Sequence, residues 1–510
     1  MNPLHIDRRL FLGGMGALAA QPALAANEPK RGGVLRVSAP TNPSSLDPIA
    51  GTAGSDHVYL YALYDSLIGW DSKTLEARPG LAETWSWPDP TTLVLNLRPG
   101  VLFHDGTPCD AEAVKFNIER GKTDAGSNVK PELTSVKAVR AEGPTRVVLE
   151  LTQPDTALPL ILSDRAGMMV SPTAVRERGA RFGREPVGAG PWRFVSWQND
   201  EKVTVARHPQ YWRQGRPYLD GIEISIIGEV NTGLRSVIGG QNDFVYFLAP
   251  QQKAIIDRAK NLVPVTGPTT WCVQLYLNYG RKPLDDKRVR QAMSFAIDRD
   301  AFNKATANGL SEPAYCQFPA AHWCFDKDAA SVVRYDPDKA KQLLAEAGYK
   351  DGIDLDCFAA SDQRTIQREE VLVEQWKKVG IRAHFAHGVI PNSTAQFFIE
   401  KQHDIYLSTW TGRPDPTQTY QLGFGKDSFY NAGRADPVPG LQDTLAESRR
   451  DQDQAARKKV FAKLQRMVME NALVVPLQFQ FEMDAHVAKM RGYLPNLLGK
   501  PRFDDVWLEG

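Results

Sequence analysis

The sequence predicts an α/β protein of several domain-sized units, two of them built from mixed strands and helices and one rich in strands. Three observations predict it. From residue 222 to residue 410, short β-branched and aromatic runs alternate with helical stripes, the order of β-α-β units. Residues 81–152 read instead as short strands with turn signals between them, interrupting the unit that begins near residue 32. At 510 residues the chain is long enough for about three domains with substantial cores.

The N-terminus reads as an export signal rather than as structure. Arg8-Arg9-Leu10-Phe11-Leu12 is a twin-arginine pattern, the weakly apolar stretch 13–20 follows, and Ala23-Leu24-Ala25 offers an A-x-A cleavage site, giving a signal over residues 1–25. Asp7 before the pair, and Gly13 where lysine is common, leave the general secretory route open. No cysteine follows the cleavage site, which argues against a lipoprotein. No later stretch approaches 18 consecutive apolar residues, so the exported chain is expected not to span a membrane. Lys plus Arg total 61 against 60 Asp plus Glu, so no global basic field draws nucleic acid or acidic lipid.

Residues 32–38 alternate toward a strand, and Val58, Tyr61 and Ala62 make a helical stripe. Between 81 and 103, Pro88-Asp89-Pro90 and Pro99-Gly100 separate short strands; Asp110 then caps a helix from 111, and strands at 136–140 and 146–152 complete the strand-rich unit. Residues 187–207 alternate as a hairpin, and 222–227, 229–240 and 243–248 read as strand, helix and strand. A strand at 273–277 leads to the helical stripe Val289, Ala292, Met293, Ala296 and Ile297, capped by Asp285 or Asp286. Asp336-Pro337 opens a helix that Gly348 ends. Strand, helix and strand follow at 355–358, 368–379 and 381–385, then a strand at 404–410, a long helix at 453–470 and a strand at 474–481.

The stretch 403–420 carries the main candidate site. Ile405, Tyr406, Leu407 and Trp410 form a buried strand that stops at Gly412. In Arg413-Pro414-Asp415-Pro416 the two prolines push Arg413 and Asp415 out of the helical region, predicting a stiff loop with a guanidinium and a carboxylate. Ligands of open α/β sheets bind outside strand C-termini, although the same residues also fit a solvated surface turn. Trp271 and Trp410 lie near strand ends beside crossover points and are candidate ligand walls.

Enzyme signatures are missing: no G-x-S-x-G and no H-E-x-x-H occurs. Gly121-Lys122-Thr123 mimics the end of a phosphate-binding loop, but Phe116 stands where its first glycine belongs. His384 and His387 are three apart in a strand and face opposite ways, wrong for shared metal ligation. No catalytic residue, metal ligand or cofactor is expected. Cys316 and Cys324 bracket a short polar, aromatic loop with a separation that could close a disulfide, whereas Cys109, Cys272 and Cys357 lie in or beside apolar runs.

Leu46-Asp47-Pro48, PGLAETW at 79–85, LRPGVLFHDGTP at 97–108, VGAGPWRF at 187–194 and PLDDKRVRQAMSFAIDRDAF from Pro283 follow one another in an order that resembles the family 5 extracellular solute-binding proteins of ABC transporters. That family includes dipeptide-, oligopeptide- and nickel-binding proteins, and the resemblance runs over essentially the whole exported chain. Cys109 and Ala113 depart from it, standing where Phe and Asp are frequent. The resemblance implies a periplasmic-binding-protein-like type II fold, two lobes about a hinge plus an extra strand-rich domain. By analogy lobe I would be 27–70, 188–271 and 480–510, the extra domain 71–187 and lobe II 272–479, with hinge crossings near 271–280 and 475–482. It implies a monomeric periplasmic receptor, not an enzyme, that passes a small peptide or peptide-like solute to an ABC permease and its ATPase. The same fold could take a nickel chelate, an opine or heme; a secreted hydrolase is the rival from another class.

In dipeptide-binding relatives an aspartate in a W-T-G-…-D-P stretch holds the ligand's α-ammonium group. Trp410, Thr411, Gly412 and Asp415-Pro416 match that pattern, with Arg413 in a shorter insert where it could neutralise Asp415 or hold a ligand carboxylate. In some relatives an arginine before the 367–379 helix takes the ligand carboxylate, and Arg364 is the candidate here. The export signal yields the first test: the protein should accumulate outside the cytoplasm with its N-terminus at Ala26 or Asn27, and replacing Arg8 and Arg9 by lysine should block export. Unimpaired export of that double variant would leave only the general secretory route.

Overall fold

A computed structural model describes residues 28–51, 53–388, 396–426, 428, 430–433, 436 and 438–509; the expected export signal lies outside these residues. Two long strands, Leu262–Leu277 and Val474–Val487, form its spine and pair antiparallel along most of their length. The pairing slips between Pro268 and Cys272 and again between Val273 and Gln274. On one side of the slip, residues 481–487 continue into the strands Phe244–Val245, Val34–Ala39, Gly221–Ile226, Lys202–Arg207 and Trp192–Gln198. On the other, residues 272–277 continue into Ile405–Trp410, Ile353–Ala360 and Ile381–Gly388. The strands expected at 273–277 and 474–481 are therefore parts of longer ones. Their remaining lengths carry Pro264, Gly267, Pro268, Asp484 and His486, which break the apolar pattern.

Each half of this sheet has its own core. One gathers apolar residues from Leu35 to Leu262 with Met483 to Val506, the other those from Val273 to Leu477. In the first half, Gly221–Ile226 and Phe244–Val245 run parallel to Val34–Ala39 on either side, joined by the helix Val230–Ile238. In the second, Ile353–Ala360 lies parallel between Ile381–Gly388 and Ile405–Trp410. A separate four-stranded antiparallel sheet, Ala82–Asp89, Thr92–Leu97, Arg146–Leu151 and Val136–Ala141, makes the extra unit. Its helix Ala111–Thr123 is capped by Asp110, whose carboxylate accepts from the Ala113 amide at 3.0 Å.

Three local readings change. The stripe at 289–297 lies in the helix Lys287–Phe295, capped by Asp286, and the turn that ends it; a second helix, Arg299–Ala307 capped by Asp298, follows directly. The helix expected from residue 368 starts at Gln363, because the Asp362 carboxylate accepts from the Thr365 amide at 3.1 Å. The stiff loop at 413–416 is instead the start of a helix, Pro416–Phe424, with Asp415 as its N-cap and Pro416 in its first turn.

The expected Cys316–Cys324 bridge is also corrected: both are free thiols buried in the second core. The intervening loop folds inward, stacking Phe318 on His322 at 4.6 Å, and the two sulfurs take different partners. Cys324 Sγ lies 3.1 Å from His322 Nδ1, and the Cys316 thiol donates to the Phe318 carbonyl at 3.4 Å. Cys109, Cys272 and Cys357 are free and buried as well. Among the described residues no helix is long and apolar enough to cross a membrane.

Candidate ligand-binding site

Parallel strands of both halves end at one crevice. In lobe I, Pro40 and Thr41 follow the strand Val34–Ala39, Gly228 and Val230 follow Gly221–Ile226, and Tyr246 and Phe247 follow Phe244–Val245. In lobe II, Ala360 ends one strand, while Leu407, Thr409 and Thr411 lie along and beyond the end of Ile405–Trp410. Together they wall a cavity of about 690 Å³, within the range of small-molecule sites. Trp271 and Gln480 reach it from the two long strands at the slip in their pairing. The Gln480 amide donates to Thr409 Oγ1 at 3.2 Å, and Trp271 Nε1 donates to the Leu498 carbonyl at 2.7 Å. Gly499, at φ +60°, lets the C-terminal segment lie against the Trp271 ring; a Cβ there would sit 3.4 Å from its Nε1.

The strongest charges at the cavity come from the helix Gln363–Lys377. Arg364 and Arg368 stand one turn apart on its cavity face. The Arg364 guanidinium lies 5.0 Å from the Phe247 ring centroid across the crevice. Beside it Gln251 of lobe I donates to Gln367 at 3.3 Å, so the lobes touch here. Among the described residues neither guanidinium makes an ion pair or a side-chain hydrogen bond. Burial pushes both down, Arg368 to about 10; the charge of Arg364 adds to the effect on Arg368 and only Asp362 opposes it.

Lobe I adds a third cation. Lys500 Nζ lies 3.1 Å from His57 Nε2 and 3.5 Å from Asp164 Oδ2, with all three side chains nearly or wholly buried. Burial lowers Lys500 to about 8 and His57 to about 4. Burial would raise Asp164, but His57, Lys500 and Arg165 hold it well below the usual carboxylate range. Lys500 is thus matched by a carboxylate; the two arginines are not.

Trp271, Arg364 and Thr411 of the sequence candidates line this cavity. Trp410, Gly412, Arg413 and Asp415 do not. Strand alternation sends Trp410 to the opposite face from Thr409 and Thr411, where it packs with Cys272, Ala314 and Phe479. Gly412, at φ +68°, turns the chain where a Cβ would collide with the Thr270 hydroxyl. Arg413 donates to the Gly412 carbonyl at 2.7 Å and lies 5.0 Å over the Trp410 ring, rather than pairing with Asp415. Asp415 is fully buried: Oδ1 accepts from the Thr417 amide and from Arg457 Nη2, each at 2.8 Å. Its Oδ1 is thus taken up by its own helix and by Arg457, not by Arg413.

Sequence reading missed Arg368, Lys500, His57, Phe247 and Gln480. For Arg368 a signal existed: once Asp362 is taken as an N-cap, Arg364 and Arg368 fall one turn apart. Lys500 and His57 meet across 443 residues of chain, and nothing local announces that. Among the described residues no three His, Cys, Asp or Glu side chains gather as metal ligands.

Two sheet halves joined by paired crossing strands, with a cavity between them walled by both, define a solute-binding receptor. The chain belongs to the bacterial extracellular solute-binding proteins, family 5, whose family model matches residues 76–431. It is a binding protein, not an enzyme. The glutathione-binding protein GsiB of Escherichia coli K12 is 27% identical over 507 residues, covering 96% of each chain. The periplasmic binding protein DppA of Helicobacter pylori, solved with the peptide STSA, superposes with a TM-score of 0.82 at 23% identity over 94% of this chain and 99% of that one. AgaA of A. tumefaciens R10, solved with agropinic acid, gives 0.81 at 22% identity over 94% and 99%.

The Asp415–Arg457 pair generates a stability test. Asp415→Asn leaves the buried Arg457 charge uncompensated, and breaking such a pair costs about 3–5 kcal/mol. The variant should unfold at markedly lower urea concentration while binding its solute within about threefold of wild type, a change of ~0.7 kcal/mol. Wild-type stability with collapsed affinity would restore Asp415 as a ligand anchor.

Proposed function

We propose that this protein is a monomeric periplasmic receptor that encloses a small peptide-like solute bearing a carboxylate and presents it to an ABC permease and its ATPase. The observation that carries the reading is the Arg364 guanidinium, which lines a cavity that both lobes wall and makes no ion pair among the described residues. A ligand carboxylate supplies that counter-ion, with charge-assisted hydrogen bonds that strengthen as water is excluded. Trp271 and Phe247, 5.3 Å apart, offer aromatic surface to the body of the solute. Thr409, Thr411 and Gln480 offer neutral hydrogen-bonding groups, as a peptide bond requires.

Delivery follows from where these groups sit. Arg364 and Thr411 belong to lobe II, Phe247 and Lys500 to lobe I, and Trp271 and Gln480 to the strands between them. A solute touching both lobes stabilises only the closed arrangement, so binding shifts the population toward it. The permease can then read closure as occupancy. The peptide and glutathione ligands named for relatives support a peptide-like solute. The agropinic acid bound by AgaA keeps an opine as the second reading, since a bare guanidinium suits any small carboxylate.

A thermal-shift screen of peptides, opines, sugars and metal chelates should find a solute that stabilises by RT ln(1 + [L]/Kd), about 2.7 kcal/mol at a hundredfold excess over Kd. Small-angle scattering with that solute should show a smaller radius of gyration, and an unchanged radius at saturation would count against the receptor. Arg364→Gln should weaken binding by about 30- to 3,000-fold, the equivalent of roughly 2–5 kcal/mol.

A further inference from the structure

Accepting that receptor reading, we infer that Arg364 and Arg368 act together as a two-carboxylate site, so that the solute is a diacid and not a simple peptide with one terminal carboxylate. Two guanidinia on one face of one helix both line the main cavity, and both also line a smaller recess beside it with Glu482, Thr269 and Ser311. Among the described residues no carboxylate makes an ion pair with either guanidinium, although Asp362 lines the same cavity and its charge acts on both. Asp362 caps the helix, accepting from the Thr365 amide at 3.1 Å and its hydroxyl at 2.6 Å. Asp164 pairs with His57 and Lys500. Glu482 accepts from Tyr493 at 3.1 Å and from the Asn496 amide at 3.3 Å. Burial and neighbouring Asp484 push the Glu482 carboxyl upward.

The rest of the cavity agrees with an acidic solute. Lys500 on the opposite wall is already matched by Asp164, and Asp415, the one carboxylate positioned by sequence for an ammonium group, pairs with Arg457 and is not among the residues lining the cavity. A singly charged ligand would leave one of two desolvated guanidinia uncompensated. A diacid satisfies both, and each guanidinium can hold one carboxylate through paired N–H···O bonds. Arg368 is thereby the residue that distinguishes a diacid from its monoacid counterpart.

The test pairs solutes that differ by one acid group: L-alanyl-L-glutamate against L-alanyl-L-glutamine, and glutathione against its glycine monoethyl ester. Calorimetry should show at least one diacid binding about tenfold or more tighter than its partner, the scale of one charge-assisted contact. Arg368→Gln and Arg368→Met should remove that preference. In the unliganded protein the same substitutions should leave the melting temperature unchanged or raise it, because they delete a half-buried cation that makes no ion pair among the described residues; a merely structural arginine would lower it. Equal binding within each pair, or a preference that survives both Arg368 variants, overturns the inference while leaving the receptor intact. If neither pair binds, the solute found by the thermal-shift screen decides: two acid groups uphold the inference, fewer overturn it. If no solute stabilises the protein, the receptor reading fails and the diacid site with it.

Discussion

The antiparallel pairing of Leu262–Leu277 with Val474–Val487 is the constraint on which the rest of the molecule depends. Each strand contributes to both sheet halves, so both lobes hang on the same ladder of backbone hydrogen bonds. Where the register slips, between Pro268 and Cys272, the ladder is locally incomplete and the strands are freest to bend. The separate cores on either side mean that bending there disturbs few apolar contacts. Trp271 and Gln480 stand at that slip with their side chains in the cavity, so a group touching them touches the pivot.

The charges divide the molecule as sharply as the cores do. Elsewhere in the described residues, several buried or half-buried guanidinia are held by carbonyls or carboxylates. Arg299 donates to the carbonyls of Ala314, Pro476, Ser294 and Ile297, and Arg290 to those of Leu284, Asp285, Asn471 and Ala472. Arg120 pairs with Asp47, Arg165 with Asp56 and Arg457 with Asp415. Arg364 and Arg368, by contrast, make no ion pair among the described residues, which marks the helix face they share as a candidate functional surface. The overall charge of +1 hides this, because global balance says nothing about where the cations are unopposed.

Much of the fold could be read from the sequence because its signals are local. Asp110 before Ala111, the alternation at 187–207 and the strand–helix–strand order at 222–248 each concern neighbours within one element. The errors were also local, and instructive. Asp336-Pro337 and Asp415-Pro416 carry the same chemistry, a capping carboxylate followed by a proline whose missing N–H is no loss in a first helical turn. The first was read as a helix start. The second, preceded by Pro414, predicts a rigid loop from sequence, whereas the structure gives its carboxylate to the helix as a cap. Overlooking the Asp362 cap shortened the next helix and concealed Arg368 in the same way. What remained illegible is long-range: the Lys500–His57–Asp164 cluster, and the choice of strand face that puts Thr409 in the cavity and Trp410 behind it.

These features join in the energetics of closure. An empty cavity that closes must desolvate two like charges with no partner between them, a state disfavoured in proportion to how much water leaves. On the proposed receptor reading, an open arrangement in which water solvates both guanidinia would be favoured while the cavity is empty. A neutral solute could fill the volume and bury aromatic surface without removing that penalty; an anionic one removes it as it binds. The differential affinity for the closed form that population shift requires would reside largely in Arg364 and Arg368. On that reading, selection of the solute and commitment to closure would be the same physical event, the neutralisation of one helix face between two lobes.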